Sequence, residues 1–236
     1  MLFEIIKLFL EESMARYVSN KGRKRQQAKM QQLVPVIVVA VIAVIVLVVL
    51  IAPSLAKPNI DRTTTSKTTS LGDANSPVKV EEFGDYQCPA CGAFFAQTEP
   101  GLVTNYINTG KVYFTFTPFS FIGAESIAAA QAAYCAMDQG KFWEYHDALY
   151  NNQHGENQGG FSTANLQGFA QNLGLDMTTF NTCTSSGKYA SLVSDNVVYG
   201  QTMKVNSTPS FLVDGKLVFQ DALIQAVDAE LKAKGK

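Results

Sequence analysis

A run of 20 residues, Leu33 to Ala52, holds no charged side chain and is made almost wholly of Val, Ile, Leu and Ala. At about 1.5 Å per residue such a helix covers a hydrocarbon core of ~30 Å, so the run reads as a single transmembrane helix. Its N-terminal flank carries Arg16, Lys21, Arg23, Lys24, Arg25 and Lys29 with no acid between them, whereas the other flank offers Lys57, Arg62 and Lys67. Positive-inside asymmetry therefore predicts a cytoplasmic N-terminus, with residues 1–32 as a basic tail and everything after Ala52 on the extracytoplasmic side of the cell membrane. The competing reading is a cleaved signal peptide, but its apolar region is usually ~7–15 residues long and begins closer to the N-terminus, which favours a signal-anchor. Residues 1–13 suit a short interfacial helix and equally suit a start at Met14.

The formal net charge of −1 averages three different regions: +4 over residues 1–32, +2 over 53–71 and −7 over 72–236. An acidic main region lacks the Lys and Arg that neutralise phosphates, which excludes nucleic acid as a partner. Within residues 53–71, seven of the eight positions 63–70 are Thr or Ser. Such a stretch has too little apolar surface to offset chain entropy, and it is expected to be a flexible tether. The remaining 165 residues, 72–236, are ample for one core.

Periodicity across that region predicts strands at 78–83 and 111–116 flanking a helix over residues 88–108. A helical block follows, with helices expected over 124–139, 142–151, 163–172, 177–185 and 188–203, separated by Gly-rich breaks. Strand signals return at 210–213 and 216–219 around Asp214-Gly215, a hairpin dipeptide, and Asp221 is positioned to cap a last helix reaching Ala233. The expected class is α/β, a sheet with helices packed on it, interrupted by a helical subdomain at about 122–204.

Chemistry concentrates in Cys88-Pro-Ala-Cys91. Cys88 falls where a strand gives way to a helix, and unpaired N–H groups there, with the positive end of the helix dipole, favour a thiolate over a thiol. Pro89 suits a first turn, having no N–H to leave unpaired. Cys91 lies one turn deeper on the same face, in reach of a mixed disulfide on Cys88. The spacing thus makes Cys88 the exchanging sulfur and Cys91 the resolving one. Half of a zinc site is the rival reading, but zinc needs a second CxxC or a close His pair, and His146 and His154 are eight apart.

Three stretches, Val80-Glu-Glu-Phe-Gly-Asp-Tyr-Gln-Cys-Pro-Ala-Cys91, Gln139-Gly-Lys-Phe-Trp-Glu-Tyr-His-Asp147 and Ser207-Thr-Pro-Ser-Phe-Leu-Val213, occur in this order. Together they resemble the DsbA-like thioredoxin-fold disulfide oxidoreductases over essentially all of residues 72–236. The resemblance implies a thioredoxin-like fold with an inserted helical subdomain, and a monomer without metal or cofactor that exchanges disulfides with unfolded secreted proteins. It also implies a cis proline opposite the dithiol, matched by Thr208-Pro209, where the preceding residue's backbone can pair with substrate. Glu82 matches the buried acid that this superfamily places beneath the dithiol, and strand alternation puts it on one face with Val78 and Val80, where it can shuttle a proton to Cys91. Cys135 and Cys183 match a second, structural disulfide of some members. His146, Phe142, Trp143 and Tyr145 are expected to be core.

An oxidase of this kind implies reoxidation by a quinone-linked membrane partner of the DsbB or vitamin K epoxide reductase type. One position departs from the family pattern: Ala90 stands where strong oxidants often have His, which keeps a reductase or isomerase open as the alternative. A non-redox binding module or chaperone on the same fold is the third reading.

Overall fold

The computed structural model describes Val39, residues 41–47, Arg62 and residues 67–236. Val39 and residues 41–47 are helical with exposed side chains. Among the described residues no helix is long and apolar enough to cross a membrane, and the rest of the 33–52 segment, the basic tail and most of the tether lie outside them. The chain divides into two compact units, Met1–Ala56 and Lys57–Lys236. The fold below is that of the second.

Two hydrophobic runs build the centre of its sheet. Strand β2 (Val78–Gly84) runs parallel to β3 (Val112–Pro118), in register from Val78 opposite Val112 to Gly84 opposite Pro118. On its other side β2 pairs antiparallel with β4 (Ser210–Val213), which turns into β5 (Lys216–Phe219). That turn is Asp214-Gly215, with φ of 47° and 80°, the two positive values a two-residue hairpin requires. The sheet order is β1-β3-β2-β4-β5. Strand β1 (Ser70–Leu71) lies antiparallel to β3, inside the stretch expected to be tether. Two residues are too short for periodicity to announce; their pairing comes from the partner edge, where the Ser70 and Thr115 hydroxyls stand 2.9 Å apart.

The helix expected over 88–108 is broken. Helix α1 (Pro89–Gln97) ends before Thr98, α2 (Glu99–Leu102) restarts, and a π turn (Val103–Ile107) closes the segment. Pro100 explains the break, since it has no N–H to donate and its ring collides with the carbonyl four residues back. The restart leaves Glu99 buried at 1% exposure.

Between β3 and β4 lie α3 (Ala124–Asp138), α4 (Phe142–Tyr150), α5 (Thr163–Asn172), α6 (Met177–Ser185) and α7 (Ala190–Thr202). The fold is thus mixed α/β and thioredoxin-like, with a helical block inserted into the strand order. Buried alanines 129, 130, 132, 133 and 136 on α3 let neighbouring helices approach closely. The chain ends with a 3-10 turn (Gln220–Ala222) and α8 (Leu223–Ala233), whose Leu223, Val227 and Leu231 are buried. Asp221 does not cap that helix. The capping position is Ala222, without a side-chain bond, because the 3-10 turn carries the chain past Asp221 before α8 begins.

Cys135 on α3 and Cys183 on α6 are joined in a disulfide across 48 positions of sequence. Closing a loop of that size restricts the unfolded chain by up to about 4 kcal/mol. Replacing both cysteines with Ala is expected to lower the denaturant midpoint accordingly. Added reductant should then lower the midpoint of the parent chain but not that of the double variant, and equilibrium unfolding measures both.

Candidate active site

The turn from β2 into α1 is held from beneath by one carboxylate. Asp85 is fully buried, and its two oxygens accept from the Gln87 N–H (2.9 Å), the Phe121 N–H (3.0 Å), the Ile122 N–H (3.1 Å) and the Ser126 hydroxyl (2.5 Å). Its carbonyl accepts from the Cys88 N–H at 3.0 Å. Four donors on one side chain tie the turn to the start of α3, and a buried carboxylate so saturated has a single geometry. From the other side, the Gln153 amide donates to the carbonyls of Tyr86 (2.8 Å) and Cys88 (3.0 Å). Gly92 permits this, since a Cβ there would stand 2.2 Å from Gln153 Oε1.

Cys88 is the N-cap of α1, with an extended backbone (φ −67°, ψ 120°), and Pro89 opens the first turn. No side-chain oxygen satisfies the first N–H groups, so the sulfur stands where a capping oxygen would. The Cys88 pKa falls from 9.0 to about 6. A hydrogen bond from the Cys91 thiol is the largest cause, partial burial opposes it, and Thr208 with the backbone N–H groups of Cys91 and Ala90 adds to the lowering. Cys91 is fully buried and moves the other way: burial, donation to Cys88 and the nearby charges of Cys88 and Glu82 hold it well above the ordinary thiol range. One sulfur is poised to ionise and its neighbour to keep its proton. Both are free thiols, so this is the reduced form.

Other residues that the sequence points to are placed as follows. The Thr208–Pro209 peptide is cis, and the Thr208 carbonyl lies 3.3 Å from Cys88 Sγ. Glu82 is 1% exposed near the end of β2. Burial pushes its carboxyl well above the usual range, the charges of Glu99 and Cys88 add to that, and Arg62 partly offsets it. Cys135 and Cys183, bonded to each other, do not belong to this site. His146 is fully buried in an aromatic cage, 4.6 Å from the Phe116 ring centre and 5.0 Å from that of Trp143. Phe142, Trp143 and Tyr145 are core. Among the described residues no group of three or more His, Cys, Asp or Glu could hold a metal ion.

Sequence reasoning misses three participants. Asp85 and Gln153 serve only backbone groups that folding brings to them, although Asp85 two residues before Gln87 is the spacing of an Asx turn. Arg62 is the third. Its guanidinium reaches Glu99 and Asp147, 37 and 85 positions away, and nothing local announces such a pair.

Comparison with known proteins bears on the whole domain. A thioredoxin family model matches residues 64–233. A probable disulfide bond formation protein D from Bacillus cereus is 35% identical over 173 residues, covering 71% of this chain and 80% of that one. The crystal structure of oxidised BdbD from Bacillus subtilis superposes with a TM-score of 0.65 at 28% identity, over 70% of this chain and 94% of that one. DsbA from Chlamydia trachomatis shares the fold, with a TM-score of 0.62 at 20% identity over 75% of this chain and 97% of that one.

The thiolate absorbance of the reduced protein is expected to titrate with a midpoint near 6 and to vanish in Cys88→Ala. A depressed thiol pKa adds stability to the reduced fold above the ordinary thiol pKa, and that stability is lost as pH falls through about 6. Asp85→Ala strands the buried N–H donors of Phe121 and Ile122, so a loss of roughly 3 kcal/mol or more is expected in denaturant unfolding.

Proposed function

The chain belongs to the thioredoxin family, among its DsbA-like disulfide bond formation proteins, and on that premise we propose that this thiol–disulfide oxidoreductase is an oxidase tethered to the membrane that introduces disulfides into secreted or envelope proteins. The observation that carries the direction of exchange is the unequal pair, Cys88 with a pKa of about 6 beside a buried Cys91 that stays protonated. Anything that stabilises the Cys88 thiolate stabilises the reduced protein, and a stable reduced form makes the disulfide form a stronger oxidant. Its supports are Cys91, Thr208 and two backbone N–H groups. None of these depends on the side chain at position 90, so Ala90 does not by itself argue against an oxidase.

The exchange starts from the Cys88–Cys91 disulfide. A substrate thiolate attacks Cys88 Sγ, forming a mixed disulfide and expelling Cys91, which takes up a proton; buried Glu82 is the group we assign to deliver it. A second substrate thiolate then attacks the substrate sulfur and expels Cys88 as a thiolate. The substrate has lost two electrons and gained one disulfide, while Cys88 and Cys91 hold both electrons as a dithiol. An incoming extended chain pairs its backbone with that of Thr208 ahead of Pro209. Unfolded polypeptides offer such unpaired backbone, which suits them as substrates. A quinone-linked membrane oxidase of the DsbB or vitamin K epoxide reductase type returns the dithiol to the disulfide. The uncharged run 33–52 and its basic flank support a tether that keeps the domain near such a partner.

Equilibration of the protein in glutathione buffers measures the Cys88/Cys91 potential, which is expected well above the thioredoxin value of about −270 mV. A value at or below it would overturn the oxidase reading in favour of a reductase. Cys91→Ser should accumulate mixed disulfides with secreted proteins through Cys88, detectable as reductant-sensitive adducts. Failure to trap any favours a module whose dithiol is idle.

A further inference from the structure

The loop 151–162, between α4 and α5, packs against the dithiol turn and walls a cleft that the exchange steps do not use. Buried Gln87, the residue before Cys88, accepts from the Asn157 N–H at 2.6 Å and donates to the Asn157 side-chain oxygen at 3.3 Å. Glu125 on α3 takes the N–H groups of Gly159 and Phe161, both at 2.7 Å, and the Asn165 amide on α5 donates to the carbonyls of Gly159 (2.9 Å) and Gly160 (3.1 Å). Left-handed backbone at Gly155, Asn157 and Gly159 (φ 75°, 52° and 86°) curls the chain so tightly that a Cβ at Gly160 would stand 3.1 Å from the His154 Cβ. The wall is therefore formed in the free protein, tied to the dithiol turn at one end and to α3 and α5 at the other.

The cleft measures about 490 Å³, within the range of ligand sites. Carboxamides dominate its lining, from Asn151, Asn152, Gln153, Gln158 and Asn165, with half-buried Phe169 among them. Among the described residues no Asp, Glu, Lys or Arg lines it, although residues 72–236 carry a net charge of −7. Each carboxamide presents a donor and an acceptor side by side, as a peptide group does, and carries no charge. Gln153 belongs to the cleft and to the dithiol turn at once: it lines the cavity, and its amide donates to the Cys88 carbonyl at 3.0 Å. We propose that this cleft is a second subsite for the substrate polypeptide, taking an extended, polar and uncharged stretch of chain that flanks the reacting cysteine. The Thr208 carbonyl meets the Cys88 sulfur and Gln153 meets the Cys88 carbonyl, so both binding points converge on the residue that forms the mixed disulfide. Two weak contacts on one chain reinforce each other, because the second forms at the high effective concentration that the first creates. A small dithiol reaches the sulfur alone and gains nothing from the cleft.

This inference rests on the exchange reading proposed above, and the test separates the two. The full chain in detergent, oxidised at Cys88–Cys91, is mixed at physiological salt with dithiothreitol or with reduced two-cysteine peptides. The peptides carry no flanking arms, or arms rich in Ser and Asn, in Lys, or in Glu, and second-order rate constants are read from acid-quenched samples. In the parent, Ser/Asn arms are expected to raise the rate several-fold over the same peptide without arms, and no gain from them overturns the proposal. Gln158 is exposed at the cleft and accepts a charge without burying it. Gln158→Glu is expected to raise the ratio of Lys-armed to Glu-armed rates about 3-fold and Gln158→Lys to lower it about 3-fold, the scale of one exposed ion pair. Gln225→Glu, which puts the same charge on the exposed face of α8, should leave that ratio at the parent value. A ratio unmoved by both Gln158 variants, or moved as much by Gln225→Glu, overturns the proposal. Chitotriose that slows the Ser/Asn-armed peptide in the parent but not in the Gln158 variants would assign the cleft to a sugar and overturn it as well. Oxidised protein that reacts with neither dithiothreitol nor any peptide would instead sink the exchange reading, and this inference with it.

Discussion

The capping position of α1, where Cys88 meets N–H groups that the helix cannot satisfy by itself, is the constraint on which the rest of the site depends. Most helices fill that position with a Ser, Thr, Asp or Asn oxygen. Here a sulfur occupies it, and a hydrogen bond from the Cys91 thiol, with smaller help from the N–H groups of Cys91 and Ala90, lowers its proton affinity. Cys91 moves the other way, because it lies one turn inside, where desolvation dominates. The two sulfurs differ in proton affinity because they differ in depth and because the inner one donates to the outer.

That position has to be held still, since a frayed first turn would lose both the N–H groups and the contact with Thr208. The structure holds it with groups that take no part in the chemistry. Asp85 binds the turn to α3, and Gln153 binds its carbonyls to the end of α4. Both come from the inserted helical block or bind to it. The insertion therefore acts as a clamp on the dithiol turn, and the Cys135–Cys183 disulfide joins two of its helices.

Much of this was legible in residue order. The two central strands, the Asp-Gly hairpin and helices α5 and α6 match the periodicity to the residue or nearly so, because strong alternation and Gly breaks act locally. The errors share a different cause. The break at Thr98 follows from a single proline inside an otherwise periodic run, and strand β1 exists only because β3 offers it an edge. Asp221 stands where a cap would by position alone, but a cap needs the helix to start at the next residue, and a 3-10 turn intervenes. In the site, the cysteines and Pro209 were visible as motif. Asp85 and Arg62 were not, since their partners are backbone groups and carboxylates distant in sequence.

The residue order alone determined that this chain places a dithiol at the start of a helix, one turn apart, with an uncharged run and a polar stretch before it. Those are short-range facts, set by spacing and by the composition of a few neighbouring residues. Only the tertiary structure decided that burial makes Cys91 keep its proton, that Glu82 is fully desolvated, and that an arginine from outside the apparent domain is buried against Glu99. Proton affinity depends on burial and on charges within a few ångströms, and those distances are fixed by packing between segments that the sequence keeps far apart.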